Sequence, residues 1–166
     1  HGLFSDVRIE AEKIVGNKIF LKIILTQRPR IANVRYEGIK KSEREDLEAK
    51  LNLVKGSQIT PNLVDRAKII IKRHFDDKGF KNAEVNIIER NIEGDKEQVD
   101  VDIIIDKKEK VKVNQIIIEG NTILTDKKLK RVMKKTNEKN KLANIFRTKK
   151  FIEEKYEEDK QLIIDK

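Results

Sequence analysis

The sequence contains no cysteine or tryptophan, and it is poor in proline and aromatic residues. Of its 166 residues two are Pro and 5% are aromatic. Without cysteine the chain has neither a disulfide framework nor a thiolate metal site, and it fits a reducing or an oxidising compartment equally well. His74 is the only internal histidine, so no second histidine completes a metal site.

Long apolar runs are absent as well. The longest uninterrupted ones, such as Ile103–Ile105 and Ile116–Ile118, have the size of a strand segment, whereas a membrane helix needs about 20 residues. The opening residues, His1 to Phe4, are not a signal sequence, and the missing initiator Met indicates a chain cut from something longer. The seven glycines are scattered at turns and form no phosphate-binding loop.

Charge is what the sequence has in abundance. Charged residues make up 40% of the chain, and Lys and Arg exceed Asp and Glu by 38 to 29, which gives a net charge of +9. A positive net charge favours acidic partners or surfaces but does not determine a fold. The apolar content of 37% suits small, modestly buried domains better than one large core.

One passage occurs twice. The segments VRYEGIKKSEREDLEAKL, residues 34–51, and IIIEGNTILTDKKLKRVM, residues 116–133, align at an offset of 82 residues with a shared Glu-Gly pair and matching apolar positions. In the first copy the β-favouring residues 31–37 predict a strand that Gly38 ends. The second copy predicts the corresponding strand over Ile116–Glu119.

A helix is predicted after the first strand. Ser42 and Glu45 have the spacing of a capping box, in which a hydroxyl and a carboxylate each bond a free backbone N–H. Leu47 and Leu51 lie on one face of this helix, and Lys55-Gly56 is predicted to end it.

A second helix begins at Thr60-Pro61, because proline is tolerated in the first turn, and ends at residues 77–80, Asp-Lys-Gly-Phe. His74 belongs to its apolar stripe and is therefore interpreted as a packed or rim residue. The stripe consists of Leu63, Val64, Ala67, Ile70, Ile71, His74 and Phe75. The matching helix of the second copy carries Phe151, Ile152, Tyr156, Leu162 and Ile163.

Two hairpins complete the pattern. Period-two alternation over residues 85–89 and 99–105 predicts strands around a turn at Gly94-Asp95, and residues 7–25 have the same layout at an offset of 80. The repeat is therefore β-α-α-β-β over about 80 residues. It divides the chain into the C-terminal hairpin of a preceding repeat, residues 1–29, a complete repeat, residues 30–110, and the N-terminal part of a following repeat, residues 111–166.

This arrangement resembles the POTRA (polypeptide-transport-associated) repeats of BamA-type outer-membrane protein assembly factors. The resemblance lies in the β-α-α-β-β order, the strand ends YEGI and IEGN, the helix end DKGF before AEV, and the opening GLFSDVRI. It covers essentially the whole chain, and three copies in register at a fixed spacing are its most specific feature. It implies an α+β fold with two helices on a three-stranded mixed sheet in each repeat. It also implies a location on the periplasmic side of the bacterial outer membrane, in a parent chain attached through a C-terminal β-barrel missing here.

The resemblance further implies a receptor, neither an enzyme nor a cofactor-binding protein. Such arrays receive unfolded outer-membrane protein precursors and dock accessory lipoproteins of the assembly complex. An edge strand can take up an extended segment by β-augmentation whatever its sequence, although charges on such a strand are also the usual defence against pairing. The main candidate edge comprises Glu84, Val85, Asn86, Ile87, Ile88, Glu89 and Arg90. A secondary edge comprises Val7, Arg8, Ile9, Glu10, Ala11, Glu12 and Lys13.

Two further expectations concern the ends of the repeats. Short links predict hinges between repeats at Arg28, Pro29, Arg30, Glu109, Lys110 and Val111. Because residues 111–166 lack the final hairpin of their repeat, the hairpin of residues 1–29 in another molecule is a candidate donor, which predicts a strand-exchanged homo-oligomer.

Other functions have weaker support in the residues. Asp100 and Asp102 alternate with apolar residues and indicate a solvated strand face, not a converging acid–base pair. The basic run from Lys127 to Lys150 favours a nucleic-acid-binding module, but a GxxG loop is absent and strand aromatics are nearly missing. A solvated helix face, anionic headgroups or an acidic partner also explain the run. TamA-type and two-partner secretion translocators, which carry similar repeats, stay an alternative to the BamA type.

Overall fold

The computed structural model describes residues 4–139 and 150–166. The chain divides into two compact units, one formed by His1–Ile70 with Val85–Ile105 and the other by Ile71–Glu84 with Asp106–Lys166. The strands are β1 (Phe4–Val15), β2 (Lys18–Gln27), β3 (Arg30–Glu37), β4 (Glu84–Ile92) and β5 (Asp95–Asp106). The helices are α1 (Lys41–Glu48), α2 (Pro61–Asp76), α3 (Asp126–Val132) and α4 (Glu153–Ile164).

The strands β1 and β2 form an antiparallel hairpin around Gly16-Asn17, as the sequence predicts. Within the described residues the two strands make a sheet of their own. Directly opposed residues of an antiparallel pair share a face, so one face of the hairpin is apolar. The pairs on that face are Val7 with Leu25, Ile9 with Ile23, Ala11 with Leu21 and Ile14 with Ile19.

The apolar face of this hairpin is open to solvent. On β2 the exposed fractions are 56% for Ile19, 57% for Leu21, 61% for Ile23 and 50% for Leu25. Their counterparts on β5 expose 2% for Val99, 0% for Val101, 0% for Ile103 and 2% for Ile105. The same sequence pattern is thus covered in one copy of the repeat and uncovered in another.

The strands β3, β4 and β5 form a three-stranded sheet in the order β3-β5-β4. The strand β3 runs parallel to the central β5, from Arg30 opposite Gln98 to Glu37 opposite Ile104. A two-residue turn, Glu93-Gly94, joins β4 to β5, and strands joined in this way are antiparallel. The predicted α+β fold with a mixed sheet is confirmed, and the turn begins one residue before the predicted Gly94-Asp95.

The connection from β3 to α1 depends on Gly38. Its φ of +81° lies in the left-handed region, and a Cβ atom there would overlap the carbonyl oxygen of Ile105. Glycine is therefore required twice, for the backbone angle and for the close approach to β5.

The helix α1 differs from its prediction at both ends. It begins at Lys41, so Ser42 is not its cap, and the N–H of Lys40 donates to the carboxylate of Glu43 at 2.9 Å. It ends at Glu48 instead of at Lys55-Gly56. The segment after α1 pairs with β3 instead: Gly56, which lies in a turn and has a φ of +85°, donates its N–H to the Ile31 carbonyl at 2.7 Å.

The helix α2 follows its prediction closely. Thr60 Oγ1 accepts a hydrogen bond from Leu63 N–H at 3.2 Å, which caps the first turn. Beyond the last turn Gly79 has φ +91°, and Phe80 N–H donates to the Phe75 carbonyl at 2.9 Å, the bond of a glycine-terminated helix. Ala67, Ile71, His74 and Phe75 of the predicted stripe are buried.

The core of the first unit lies on one face of the sheet. The strands contribute alternate residues, and the other buried apolar side chains come from α1, the segment after it and α2. These elements therefore cover the sheet, as the two-layer fold requires. The fully buried members, with no exposed surface, are Ile31, Leu47, Val101 and Ile103.

A buried carboxylate joins the helices of the second unit. Asp159 of α4 has no exposed surface. Its oxygens accept hydrogen bonds from the N–H groups of Lys134, Lys135 and Thr136 at 2.5–3.2 Å. Because these N–H groups follow the last turn of α3, Asp159 connects the two helices and satisfies its own buried charge.

A second buried carboxylate occupies the place of a strand partner. Residues 116–119 were predicted as a strand, but no strand is formed there. The N–H of Ile116 instead donates to Glu138 Oε1 at 2.8 Å, and Lys130 Nζ lies 3.1 Å from the same oxygen. The strand prediction was wrong because a β conformation needs a neighbouring strand, and here a side chain accepts the hydrogen bond.

Candidate peptide-binding edge

The predicted main edge, residues 84–90, lies on β4 at the end of the strand order. Within the described residues no strand pairs with the outer side of β4. Alternate N–H and C=O groups on that side therefore point away from β5 and can receive an extended chain.

In the first part of β4 the side chains point alternately toward the core and toward solvent. Ile87 is buried and Val85 is half-buried, whereas Asn86, Ile88 and Glu89 are exposed. An added strand would therefore meet Val85 and Ile87 on the core-facing side and Asn86 and Ile88 on the other.

An ion-pair network crosses the outer face of the sheet. Arg35 of β3 contacts Asp100 at 2.5 Å and Asp102 at 3.5 Å, and Arg90 of β4 pairs with Asp102 and lies 3.8 Å from Asp100. The amide of Asn33 donates to Asp100 at 2.9 Å. The two aspartates lie on the polar face as predicted, but they are partly covered and bridge both neighbouring strands.

The network changes the acidity of one carboxyl group. The hydrogen bond from Asn33, followed by the bond and charge of Arg35, lowers the pKa of Asp100 below its ordinary value. Both partners stabilise the ionised form. Sequence reasoning missed Asn33 and Arg35, although their alternation along β3 indicated that they share the face of the aspartates.

The charges at the start of β4 are also paired. Lys108 Nζ lies 3.4 Å from Glu84 and contacts Asp106. The hydrogen bond that Lys108 donates to the Asp106 carboxylate, followed by the charges of Asp106 and Glu84, raises the pKa of Lys108. The first residue of the candidate edge is therefore held by a cation that follows β5.

The secondary edge, two of the predicted hinge residues and His74 have the following surroundings. The secondary edge, residues 7–13, is exposed along β1. Of the predicted hinge residues, Arg30 donates to the Gly56 carbonyl at 2.7 Å, and Val111 N–H donates to the Gly79 carbonyl at 3.0 Å. His74 is buried and packs edge-to-face against Phe75. In the basic run, residues 140–149 lie outside the described residues.

The described residues were also compared with the requirements of a metal site and of a membrane-spanning helix. In the parts of the chain that it describes, no group of three or more His, Asp or Glu side chains could hold a metal ion. Among the same residues, every helix is too short or too polar to cross a bilayer.

Comparison with known proteins gives matches to a family model, to a curated protein and to solved structures. Residues 29–108 match the sequence model of the family POTRA, surface antigen variable number repeat. The chain is 26% identical over 167 aligned positions to the outer membrane protein assembly factor BamA of Neisseria meningitidis, with 99% of this chain covered. It also superposes on the crystal structure of Haemophilus influenzae BamA POTRA3-5 with a TM-score of 0.50 and 16% identity, over 98% of this chain and 60% of that one. Residues 29–108 belong to the POTRA family, and the chain is similar to POTRA modules of the BamA type.

A second solved structure has the same fold. The BamA of Haemophilus ducreyi lacking POTRA domains 1-3 matches 80% of this module and 23% of its own chain, with a TM-score of 0.54 and 20% identity. The module spans about a fifth, 20%, of the length of the curated relative it matches. POTRA domains of the BamA type lie in the periplasm at the outer membrane, and this module is placed there, as the resemblance implied.

Proposed function

We propose that this POTRA module binds unfolded outer-membrane protein precursors by β-augmentation at residues 84–90 of β4. In this proposal it acts as a non-enzymatic receptor in outer-membrane protein assembly and also docks accessory lipoproteins of the assembly complex. The parent chain continues into a membrane-embedded barrel that holds the module at its site of action.

The observation that carries the proposal is the position of β4 at the edge of the β3-β5-β4 sheet. The opposite edge of the sheet, formed by β3, is less open. Ile31 N–H donates to the Ser57 carbonyl at 2.9 Å, and the backbone of Arg30 forms an antiparallel β-bridge with Gln58. The segment after α1 thus occupies hydrogen-bonding groups at the start of β3. The edge formed by β4 offers the longer free row.

The chemistry of this edge suits clients of many sequences. Backbone hydrogen bonds do not depend on the client's side chains, so they give affinity with little specificity. The half-buried Val85 and the exposed Ile88 add apolar contact on the two faces. Such an edge favours segments that alternate between apolar and polar residues, as strands of outer-membrane proteins do.

The secondary edge and the domain boundaries belong to the same proposal. Residues 7–13 of β1 offer a second row of backbone groups, and residues 1–29, 30–110 and 111–166 remain the proposed repeats. The uncovered apolar face of the first hairpin supports this division, because the same face in the complete repeat is buried.

An NMR titration tests the proposal. We expect an alternating outer-membrane-type peptide of about 10 residues, added up to millimolar concentration, to shift the amide signals of residues 84–90. A peptide of the same composition in shuffled order should still bind but more weakly, since the backbone contacts remain and the alternation of apolar and polar side chains is lost. A version with proline at alternate positions should not bind, because it lacks the N–H groups. Unshifted signals at this edge with the alternating peptide would exclude β4 as the site.

Two proline variants locate the contact on the protein. The N–H groups of Ile88 and Glu89 point to opposite sides of β4, so one faces β5 and the other faces outward. Of the variants Ile88→Pro and Glu89→Pro, one should lose thermal stability and the other should retain it. The stable variant is expected to bind the peptide about tenfold more weakly, the loss of roughly one hydrogen bond. Wild-type affinity in the stable variant would contradict the proposal.

A further inference from the structure

Four lysines of the second unit lie together, without carboxylate partners among the residues that the structure describes. Lys112 and Lys150 are directly opposite each other in an antiparallel bridge. Lys110 precedes Lys112 by two residues, and Lys155 lies close enough to Lys150 to repel it. Within the described residues no carboxylate is within ion-pair distance of any of these four ammonium groups.

Other lysines of the same unit are paired. Lys81 lies 2.7 Å from Glu153, Lys130 lies 3.1 Å from Glu138, and Lys160 lies 2.8 Å from Glu157. Carboxylates are therefore abundant in this unit, yet none of the described ones pairs with the four-lysine cluster. Glu109 and Glu154, which are its neighbours in sequence, form no ion pair with it in the part of the chain described.

The backbone holds the cluster in place. Phe151 N–H donates to the Val111 carbonyl at 2.8 Å, and Val111 N–H donates to the Gly79 carbonyl at 3.0 Å. A Cβ atom on Gly79 would lie 3.3 Å from Cβ of Lys150, so the stem of that lysine rests against the glycine. The ammonium group of Lys110 lies 4.9 Å from the centre of the Phe80 ring, a cation–π contact.

This arrangement is unfavourable for the isolated protein. Like charges directly opposite each other on paired strands are destabilising. Burial, followed by the charges of Lys110 and Lys155, lowers the pKa of Lys150. A bound anion would remove this repulsion, because it would place negative charge among the four ammonium groups.

We propose that Lys110, Lys112, Lys150 and Lys155 form a docking site for the phosphate groups of anionic lipid headgroups. Lysine is a flexible point charge without the planar fork that fixes one small anion, so a cluster of lysines suits a charged surface better than a single phosphate ion. A module at the outer membrane has such a surface beside it. The site lies in the second unit and does not depend on peptide binding at β4.

Vesicle binding by the 166-residue chain tests this site. We expect binding to vesicles of equal parts phosphatidylglycerol and phosphatidylcholine, weakening with salt, and no binding to pure phosphatidylcholine. Replacing all four lysines with glutamine should weaken binding by about 600-fold, at about fivefold per charge. A control with Lys18, Lys22, Lys68 and Lys72 replaced by glutamine has the same net charge and should bind nearly as wild type.

A milder variant guards against a folding defect. Lys110→Gln with Lys112→Gln changes two exposed residues and should weaken vesicle binding about 25-fold. Without vesicles, Lys150→Gln should raise the melting temperature at low salt, because it removes repulsion. A lower melting temperature would show that no repulsion is stored at the cluster and would count against the site.

Three other outcomes would overturn the proposal. Equal losses in the cluster variant and its control would show that net charge alone drives binding. Displacement from vesicles by millimolar inorganic phosphate, but not by chloride at the same ionic strength, would assign the cluster to the free ion. Preferential displacement by a single-stranded oligonucleotide, abolished in the cluster variant, would assign it to nucleic acid.

Discussion

Asp159 connects the two helices of the second unit through buried hydrogen bonds. Its carboxylate receives the N–H groups of Lys134, Lys135 and Thr136, and each hydrogen bond to a buried charge contributes more than a neutral one. Asp159→Asn keeps the size of the side chain but presents an NH₂ group to these donors. We expect it to lower the free energy of unfolding of this unit by roughly 2–4 kcal/mol, since one acceptor is lost and donors are left buried.

Hydrogen exchange and urea unfolding measure this effect. The amides of residues 134–136 should lose protection in Asp159→Asn. The control Glu157→Gln removes an exposed partner of Lys160 and should change stability by less than about 0.5 kcal/mol. Equal stability of the two variants would show that the buried carboxylate is not a structural tie.

Asp100 provides a prediction for the pH dependence of stability. Its pKa is lower in the folded chain than the ordinary value of 3.8, so the unfolded state binds a proton more readily. The contribution of Asp100 is therefore present above pH 3.8 and is lost as the pH falls through the lower folded value. The difference in unfolding free energy between wild type and Asp100→Asn should shrink in that acid range. A difference that stays constant from neutral pH to the acid limit would contradict this linkage.

Residue roles were harder to predict than residue positions. The apolar stripe predicted for α4 includes Ile152 and Tyr156, and Asp159 follows them at helical spacing. A carboxylate on an apolar stripe was thus a visible signal. Its hydrogen-bond partners are 23 to 25 residues away, and no local pattern reveals which N–H groups meet a given side chain in the fold.

At the scale of elements, α2 could be predicted because its signals are local. Thr60-Pro61 starts it, an apolar stripe fills it, and Gly79 ends it, all within the element or next to it. The helix α1 could not be bounded in this way. Its expected continuation to Gly56 is replaced by pairing with Ile31, a contact that depends on tertiary structure and overrides helix propensity.

The helix α2 offers a matched pair of substitutions. Ile71 has no exposed surface, whereas Ile69, two residues earlier on α2, exposes 66%. Ile71→Asp places an unpaired charge in the core and is expected to cost roughly 3–5 kcal/mol, enough to unfold a small domain. Ile69→Asp should cost less than about 1 kcal/mol. Circular dichroism during heating separates the two, and equal melting temperatures would refute the assignment of the buried stripe.

At the scale of the whole molecule, the uncovered hairpin favours association. Its apolar face is rimmed by charged residues and is a candidate contact for a second copy of the chain. We expect Ile23→Lys, which puts a charge on that face, to reduce self-association in sedimentation equilibrium, as deletion of residues 1–29 should. Thr26→Lys adds the same charge to the opposite face of β2 and serves as the control. An unchanged average mass after the deletion would exclude the hairpin as the donor.

The repeat explains why the order of strands and helices could be predicted from the sequence, whereas the burial of each strand face could not. The offset of 80 between Ile19 and Val99 transfers a strand pattern from one copy to another without any contact information. Burial does not transfer in this way, because it depends on which helices cover a face. Identical patterns therefore lie in the core on β5 and in solvent on β2.

The parallel pairing of β3 with β5 also sets the order in which an exported chain can fold. Asn33 and Asp100, which bond across this pair, are 67 residues apart, and closing such a loop costs about 4 kcal/mol in chain entropy. The central strand is the last one of the repeat to leave a translocation channel. Until β5 emerges, β3 has no partner in the sheet, and the apolar stripe of α2 stays exposed to water. A module for which we propose binding of unfolded chains would itself pass through the same unprotected state during its own export.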